Sequence, residues 1–366
     1  MQNGEFLGDV PVYPRSKYVR ELRAELPANT FELARSRLAL IPIYVAVIVM
    51  ATITIAKGWL PWAVTPLLSV AIGVCFGCLT FVAHETLHGG TVRGKLLQQV
   101  AGFIGFLPFV VSPRLWVAWH NRDHHANTNL STDPDAYPTL DRYHARRSTR
   151  FSADMFSLGG RRLRGGLSLI LGFSVQSMDQ LITARTRLLA PREHRLALAE
   201  TALGVLVWAT VAALVGFVPF LFVFVLPLLI GNACVMAFIL TNHSLSPRTT
   251  INDPLLGGLS VTTSRLVERV TLGFGFHVEH HLFPTMSTRH APAVRALIKA
   301  HWPERYQSMR LVDALRRLHC TARVYKNATT LVDPLTGAEF STLLPGEPTA
   351  ATSAPEPILL VRPIAA

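Results

Sequence analysis

Long apolar runs decide the solvent of this chain. Leu38 to Ala56 is nineteen residues without a charged side chain, about 28 Å at ~1.5 Å per residue, which is long enough to cross a bilayer core. After the turn from Lys57 to Pro61, Trp62 to Ala83 returns across the membrane. Leu196 to Thr241 folds back on itself at Gly216, Phe217, Val218 and Pro219. Four spans are therefore expected, at about residues 38–56, 62–83, 196–216 and 219–241, paired as two hairpins. With half of the 366 residues apolar and 16% charged, disorder is excluded for most of the chain. The net charge of +12 would suit nucleic acid or an anionic lipid surface. The apolar runs favour lipid, and no nucleic-acid partner is expected. Four cysteines are too sparse for a disulfide framework and fit a reducing compartment. Cys75 and Cys78, on an apolar helix, read as small packing residues.

Of the 35 Lys and Arg, only Lys57 falls in either hairpin turn. The positive-inside rule then places the N-terminal segment, the stretch between the hairpins and everything after Thr241 in the cytoplasm. The protein is expected in a cell inner membrane, or in the endoplasmic reticulum if eukaryotic. Residues 1–34 read as a cytoplasmic N-terminal segment with Glu5, Asp9 and no apolar core, not as a cleavable signal, so the first span must act as its own insertion signal. Residues 35–320 read as the membrane domain, and 321–366 as a C-terminal extension, mobile from 343 on its Pro, Ala, Thr and Ser content. Leu96 to Val111 and Leu167 to Leu181 are apolar but interrupted, and read as interfacial or re-entrant helices.

Eight of the fourteen histidines fall in three short windows. These are His84-Glu-Thr-Leu-His88, His120-Asn-Arg-Asp-His124-His125 and His277-Val-Glu-His280-His281. On a helix, residues three or four apart share a face, so each window aims its imidazoles at one point. All three lie on the cytoplasmic side, and His243 sits at the mouth of the last span. Nine imidazoles exceed what one metal ion of four to six coordination uses, so two ions are implied. Imidazole suits Fe, Zn, Cu and Ni alike. A dinuclear site at a bilayer surface fits redox activation of dioxygen against an unactivated C–H bond, for which iron is apt, whereas zinc has no redox chemistry.

The order His-x3-His, His-x3-His-His, His-x2-His-His, spaced by four spans, resembles the membrane-bound fatty acid desaturase family with its hydroxylase and acetylenase relatives. Flanking stretches match too: His124-His125-Ala-Asn-Thr-Asn followed by Asp133-Pro-Asp, Thr241-Asn-His243-Ser-Leu-Ser, and His277-Val-Glu-His280-His281-Leu-Phe-Pro284. The resemblance covers about residues 35 to 300. It implies an all-α integral membrane protein of four transmembrane helices in two hairpins, with a cytoplasmic helical cap holding a dinuclear metal site. It further implies a non-haem di-iron centre held by His84, His88, His120, His124, His125, His243, His277, His280 and His281, with O2 as co-substrate. His243 alone has no box of its own. The third box opens with His277 where front-end desaturases carry Gln, and no His-Pro-Gly-Gly haem-domain signature occurs, so electrons must come from a separate donor such as a ferredoxin or a cytochrome. The box spacings are more like acyl-lipid or acyl-carrier-protein enzymes than the acyl-CoA branch.

Hydroxylase, acetylenase and ketolase chemistry remain open on the same scaffold. His84-Glu85-Thr-Leu-His88 also satisfies H-E-x-x-H, the zinc-protease motif with Glu85 as general base. That reading leaves two boxes unexplained. Under the desaturase reading Glu85 orients a ligand imidazole. A metal carrier with His-rich loops is the non-enzymatic rival, but Leu38 to Ala56 and Leu203 to Leu240 carry no ionic path. Asp123, Asn127, Asp133, Asn242 and Glu279 are candidates to hold ligand tautomers. Arg161, Arg162 and Arg164 are candidates to dock an acidic partner or to face lipid headgroups. His144, His194, His290, His301 and His319 have no spacing partner and are expected to stand apart.

Overall fold

The computed structural model describes residues 5–346, the side chains of Glu5 and of 184–187 apart. It is mostly helical, and four helices are long and apolar enough to cross a membrane: Ala28–Lys57, Trp62–Leu87, Pro191–Val215 and Phe217–His243. Each break has a local cause. Gly58, at φ 62°, closes the first span in the left-handed conformation that costs glycine least. Gly216, at φ 83°, separates the third span from the fourth. The second and fourth spans run further than the apolar pattern announces, because Leu87 and His243 continue the helices through polar residues that face protein instead of lipid. His84 consequently sits inside the last turn of the second span and not after it.

The second and fourth spans form the centre. Buried residues make up 67% and 44% of their most apolar stretches, against 17% and 11% for the first and third. Small residues let the central pair approach: a Cβ on Gly73 would lie 2.6 Å from Ile230 Cβ, and one on Gly77 2.9 Å from Cys234 Cβ. Cys75 and Cys78 are buried as free thiols in this packing.

Lys95–Phe109 and Pro113–Asn127 form a helix pair bent by 100°, the geometry of a re-entrant element or a broken span. Pro108 and Val110, the latter at φ 58°, turn the elbow. Arg114 and Ser112 bind Glu200 at 2.7 and 2.6 Å, and Trp208 Nε1 donates to Leu107 O at 2.8 Å, so the pair is tied to the third span. The helix Leu167–Arg187 lies against the fourth span, where Asn232 Oδ1 accepts the Ser174 N–H at 3.1 Å.

The cap also carries three small sheets that the helical reading omits: an N-terminal hairpin, Glu5–Leu7 with Val10–Val12; a parallel pair, Ser260–Thr262 with Ser308–Arg310; and three antiparallel strands within Val324–Ser341. At the expected start of the mobile tail, residues 343–346 meet the rest of the fold. Leu343 is 2% exposed and its N–H donates to Leu245 O at 2.9 Å, while Gly346 N–H reaches Glu304 O at 3.3 Å. Residues 347–366, which hold most of the Pro-rich sequence, lie outside the described residues.

Candidate metal centre

Four separate segments bring the nine histidines together. His84 and His88 end the second span. His120 and His124 sit on Val117–His124, which winds as a π-helix, with His125 next in the chain. His243 is the last residue of the fourth span. His277, His280 and His281 share the short helix His277–Leu282, anchored where Val278 N–H donates to Ser260 Oγ at 3.0 Å. Eight of these histidines are buried, and His120 is partly exposed.

Their rings form two adjoining groups. Nitrogens of His84, His88, His120 and His280 all lie within 4.8 Å of one another, and so do those of His124, His243 and His281. His125 Nε2 is 3.2 Å from both His120 Nε2 and His280 Nε2, which joins it to the first group. His277 Nε2 is 2.5 Å from His243 Nε2, which joins it to the second. The His125 and His281 rings stack at 4.2 Å between centroids and link the two groups. His144, His194, His290, His301 and His319 stand apart, as expected; His194 meets Leu181 O and His301 meets Glu25.

Outer nitrogens in the second group are held by the chain. His124 Nδ1 lies 2.9 Å from Asp133 Oδ1, His243 Nδ1 2.7 Å from Gly257 O, and His281 Nδ1 3.2 Å from Thr128 Oγ1. An acceptor on Nδ1 fixes the proton there and turns the Nε2 lone pair inward. His88 Nε2, His125 Nδ1 and His281 Nε2 are buried without any hydrogen-bond partner among the described residues. Burying polar nitrogens unpaired is costly. So many converging lone pairs fit metal cations, and the split into two groups fits two of them.

Burial favours the neutral form at most of these rings, whereas at His124 the carboxylates of Asp133 and Asp135 outweigh burial and raise it to about 9. His280 is lowered to about 3, by burial first and then by His124, and burial followed by neighbouring imidazoles puts His277 and His281 well below the usual range. Burial would raise Asp133, but the His124 ring and its hydrogen bond outweigh this and hold the carboxylate low. Asp135 is raised, chiefly by burial, with Asp133 adding to it.

Among the expected tautomer holders, Asp133 reaches an imidazole. Glu85 binds Arg37, whose guanidinium also meets Thr288 at 2.7 Å. Its Oε2 therefore pairs with a guanidinium where an imidazole was expected, and its Oε1 is buried without a partner among the described residues. Glu279 takes Ser260, Arg295 and Tyr306 at 2.6, 2.8 and 2.5 Å. Asn127 binds Asp123, and Asn242 Oδ1 has no partner among the described residues. Arg162 pairs with Asp333 at 2.6 Å, so it is not a free docking charge. Asp135, Thr128 and the Gly257 carbonyl were not singled out. Asp135 Oδ1 accepts from Trp119 Nε1 and Gln176 Nε2, each at 2.7 Å, and its carboxylate groups with His120 and His124.

A cavity of about 1250 Å³ opens on these rings, larger than the roughly 300–1,000 Å³ of ordinary small-molecule sites. His84, His120, His124, His243 and His277 line one part and Phe106, Phe173, Met236 and Ile239 another. An apolar chain thus has a place beside the imidazoles.

Comparison with known proteins agrees with this geometry. Among similar curated proteins are two chloroplastic omega-6 fatty acid desaturases. That of Spinacia oleracea is 20% identical over 304 residues, 80% of this chain and 66% of that protein. That of Arabidopsis thaliana is 27% identical over 125 residues, 34% of this chain and 27% of that protein. The chain thus spans between about a quarter and two thirds of the length of these relatives. The family model for fatty acid desaturases matches residues 57–312, a stretch holding all nine clustered histidines, and on that match the chain belongs to the fatty acid desaturase family.

Proposed function

We propose that this membrane oxidoreductase is an O2-dependent fatty acyl desaturase, with two irons held by His84, His88, His120, His125 and His280 on one side and His124, His243, His277 and His281 on the other. The observation that carries the reading is the gathering of nine imidazoles into two adjoining groups, three of them with unpartnered nitrogens among the described residues and five lining one cavity. Bound iron would supply the redox chemistry by which O2, two electrons from an external donor, two protons and two hydrogens of an acyl chain become two waters and a C=C bond. Everything else is the work of the chain. Asp133, Thr128 and the Gly257 carbonyl hold ring protons on Nδ1. Phe106, Phe173 and Met236 exclude water and align the acyl chain, so that cavity geometry selects the carbon. The charge bias of the loops supports a cytoplasmic cap with both termini on that side. The substrate is an acyl group on a lipid or on a carrier, either acyl-carrier protein or CoA, and the donor is a ferredoxin or cytochrome.

Expression in a host of known lipid content, followed by acyl profiling and metal analysis of the purified chain, tests the reading. About two irons per chain and a new unsaturated acyl species are expected, and His124→Ala or His280→Ala should abolish the product with insertion intact. A hydroxylated, acetylenic or ketone product would transfer the chain to that chemistry. One zinc per chain, with peptide cleavage lost in Glu85→Ala, would end it.

A further inference from the structure

We infer that the segment Thr321–Gly346 is a clamp that positions His243 and His124, with Arg323 as its main positioning residue, and so sets one of the two metal subsites. The inference rests on the metal reading above. The family match stops at residue 312, so it assigns this segment no role.

A helix leaves its final carbonyls without intrahelical donors. At the end of the fourth span, Asn242 O takes the Leu259 N–H at 2.7 Å and His243 O takes the Ser246 N–H at 3.0 Å. The next three carbonyls each receive a donor from the C-terminal segment. The Arg323 guanidinium binds Ser244 O. The Leu343 N–H donates to Leu245 O at 2.9 Å, and the Tyr325 hydroxyl donates to Ser246 O at 2.7 Å. Arg248 N–H completes the strap by donating to Ala328 O at 2.8 Å. The residue that precedes this run is His243 itself.

The same segment also grips the loop that follows Asp133. Tyr325 N–H donates to Pro138 O at 2.9 Å, and the Arg323 guanidinium lies 5.9 Å from the Tyr137 ring centroid. Asp133 in turn holds His124. Two members of the second imidazole group are thereby braced from one side. None of these anchor points lies on the segment that carries His84 and His88.

Arg323 is 4% exposed, and no carboxylate pairs with it among the described residues. A buried cation without a counter-ion is costly, and an apolar side chain of similar volume would pack at lower cost. What the guanidinium adds is a fixed cationic donor where a helix C-terminus presents partial negative charge. That position sets the axial placement of the fourth span's last turn, and with it the reach of the His243 ring.

The test is anaerobic titration of the purified full-length chain with Co(II), read by elemental analysis and by the cobalt absorption spectrum. Wild type should bind two ions. Arg323→Met should keep one at wild-type affinity and bind the other about 10- to 100-fold more weakly, the usual loss when a group that orients a ligand is removed. Arg323→Lys, which keeps a cationic donor, should recover part of that loss. Tyr325→Phe should lose less, and Lys326→Ala, which breaks only the Lys326–Glu339 surface pair of the same sheet, should lose nothing. Two undisturbed ions in Arg323→Met, or equal weakening of both, overturn the clamp. If Arg323→Met does not fold, unchanged affinities in Tyr325→Phe overturn it instead. A wild type that binds fewer than two ions overturns the metal reading and the clamp together, which distinguishes the two failures.

Discussion

An imidazole buried as deeply as His280 stays neutral, because burial with His124 nearby brings it down to about 3. The unfolded chain takes up protons on such rings below about pH 6.5, while the fold refuses them. Their contribution to stability is therefore complete above about 6.5 and drains away as the pH falls from there toward 3. Metal binding requires the same neutral form. Lowering the pH from about 7.5 to about 5.5 should therefore lower Tm while the folded chain, its rings still neutral, keeps its metal; loss of metal from the folded chain across that window, by elemental analysis, counts against rings buried to this depth. The clustering of these rings was legible in the sequence because spacings of three and four place imidazoles on a common face. Glu85 was misread for the converse reason. One residue from His84, it lies about 100° further round a helix of ~3.6 residues per turn, and so faces Arg37. Gly257 was illegible because it contributes a backbone carbonyl, which every residue has.

At the element scale, the second box departs from the expected α-helix. Val117–His124 is wound as a π-helix, with i to i+5 hydrogen bonds. The wider turn brings His120 and His125 onto one face, with Nε2 atoms 3.2 Å apart, and lets His124 enter the other group. A single eight-residue π segment leaves no periodic signature in the side chains, so spacing alone gave the cluster but not its division into two groups. The interruption of the helix from Leu96 to Val111 was visible in Gln98, Gln99 and Pro108, and the pair it belongs to is bent by 100°, as a re-entrant element or a broken span would be. Its packing depends on Gly105, where a Cβ would lie 2.5 Å from Ala83 Cβ and 2.7 Å from Leu79 O. Gly105→Leu should push this helix off the second span just before His84 and cost about 1–3 kcal/mol by overpacking. Thermal unfolding in detergent checks it, and a Tm equal to wild type would show that the contact is yielding.

For the whole molecule, the two hairpins were readable from apolar length, yet the inequality between spans was not. Hydropathy cannot distinguish the central pair from the outer pair, because lipid and protein interior are equally apolar. Nor does it reveal the cavity, whose walls come from segments as distant as Phe106 and Met236. Met236 lines the apolar part of that cavity beside Gly172. Met236→Trp should shorten the space for an acyl chain and shift product toward shorter chains by several-fold in kcat/KM, consistent with the ~1–3 kcal/mol that pocket fit commands. Competition between acyl substrates of two lengths measures it, and an unaltered preference would place the acyl path elsewhere. The Gly257 carbonyl on His243 carries one last consequence. Because that acceptor belongs to the peptide chain itself, no exchange of side chain can delete it, and a mutational survey of the site would pass over one of its own supports.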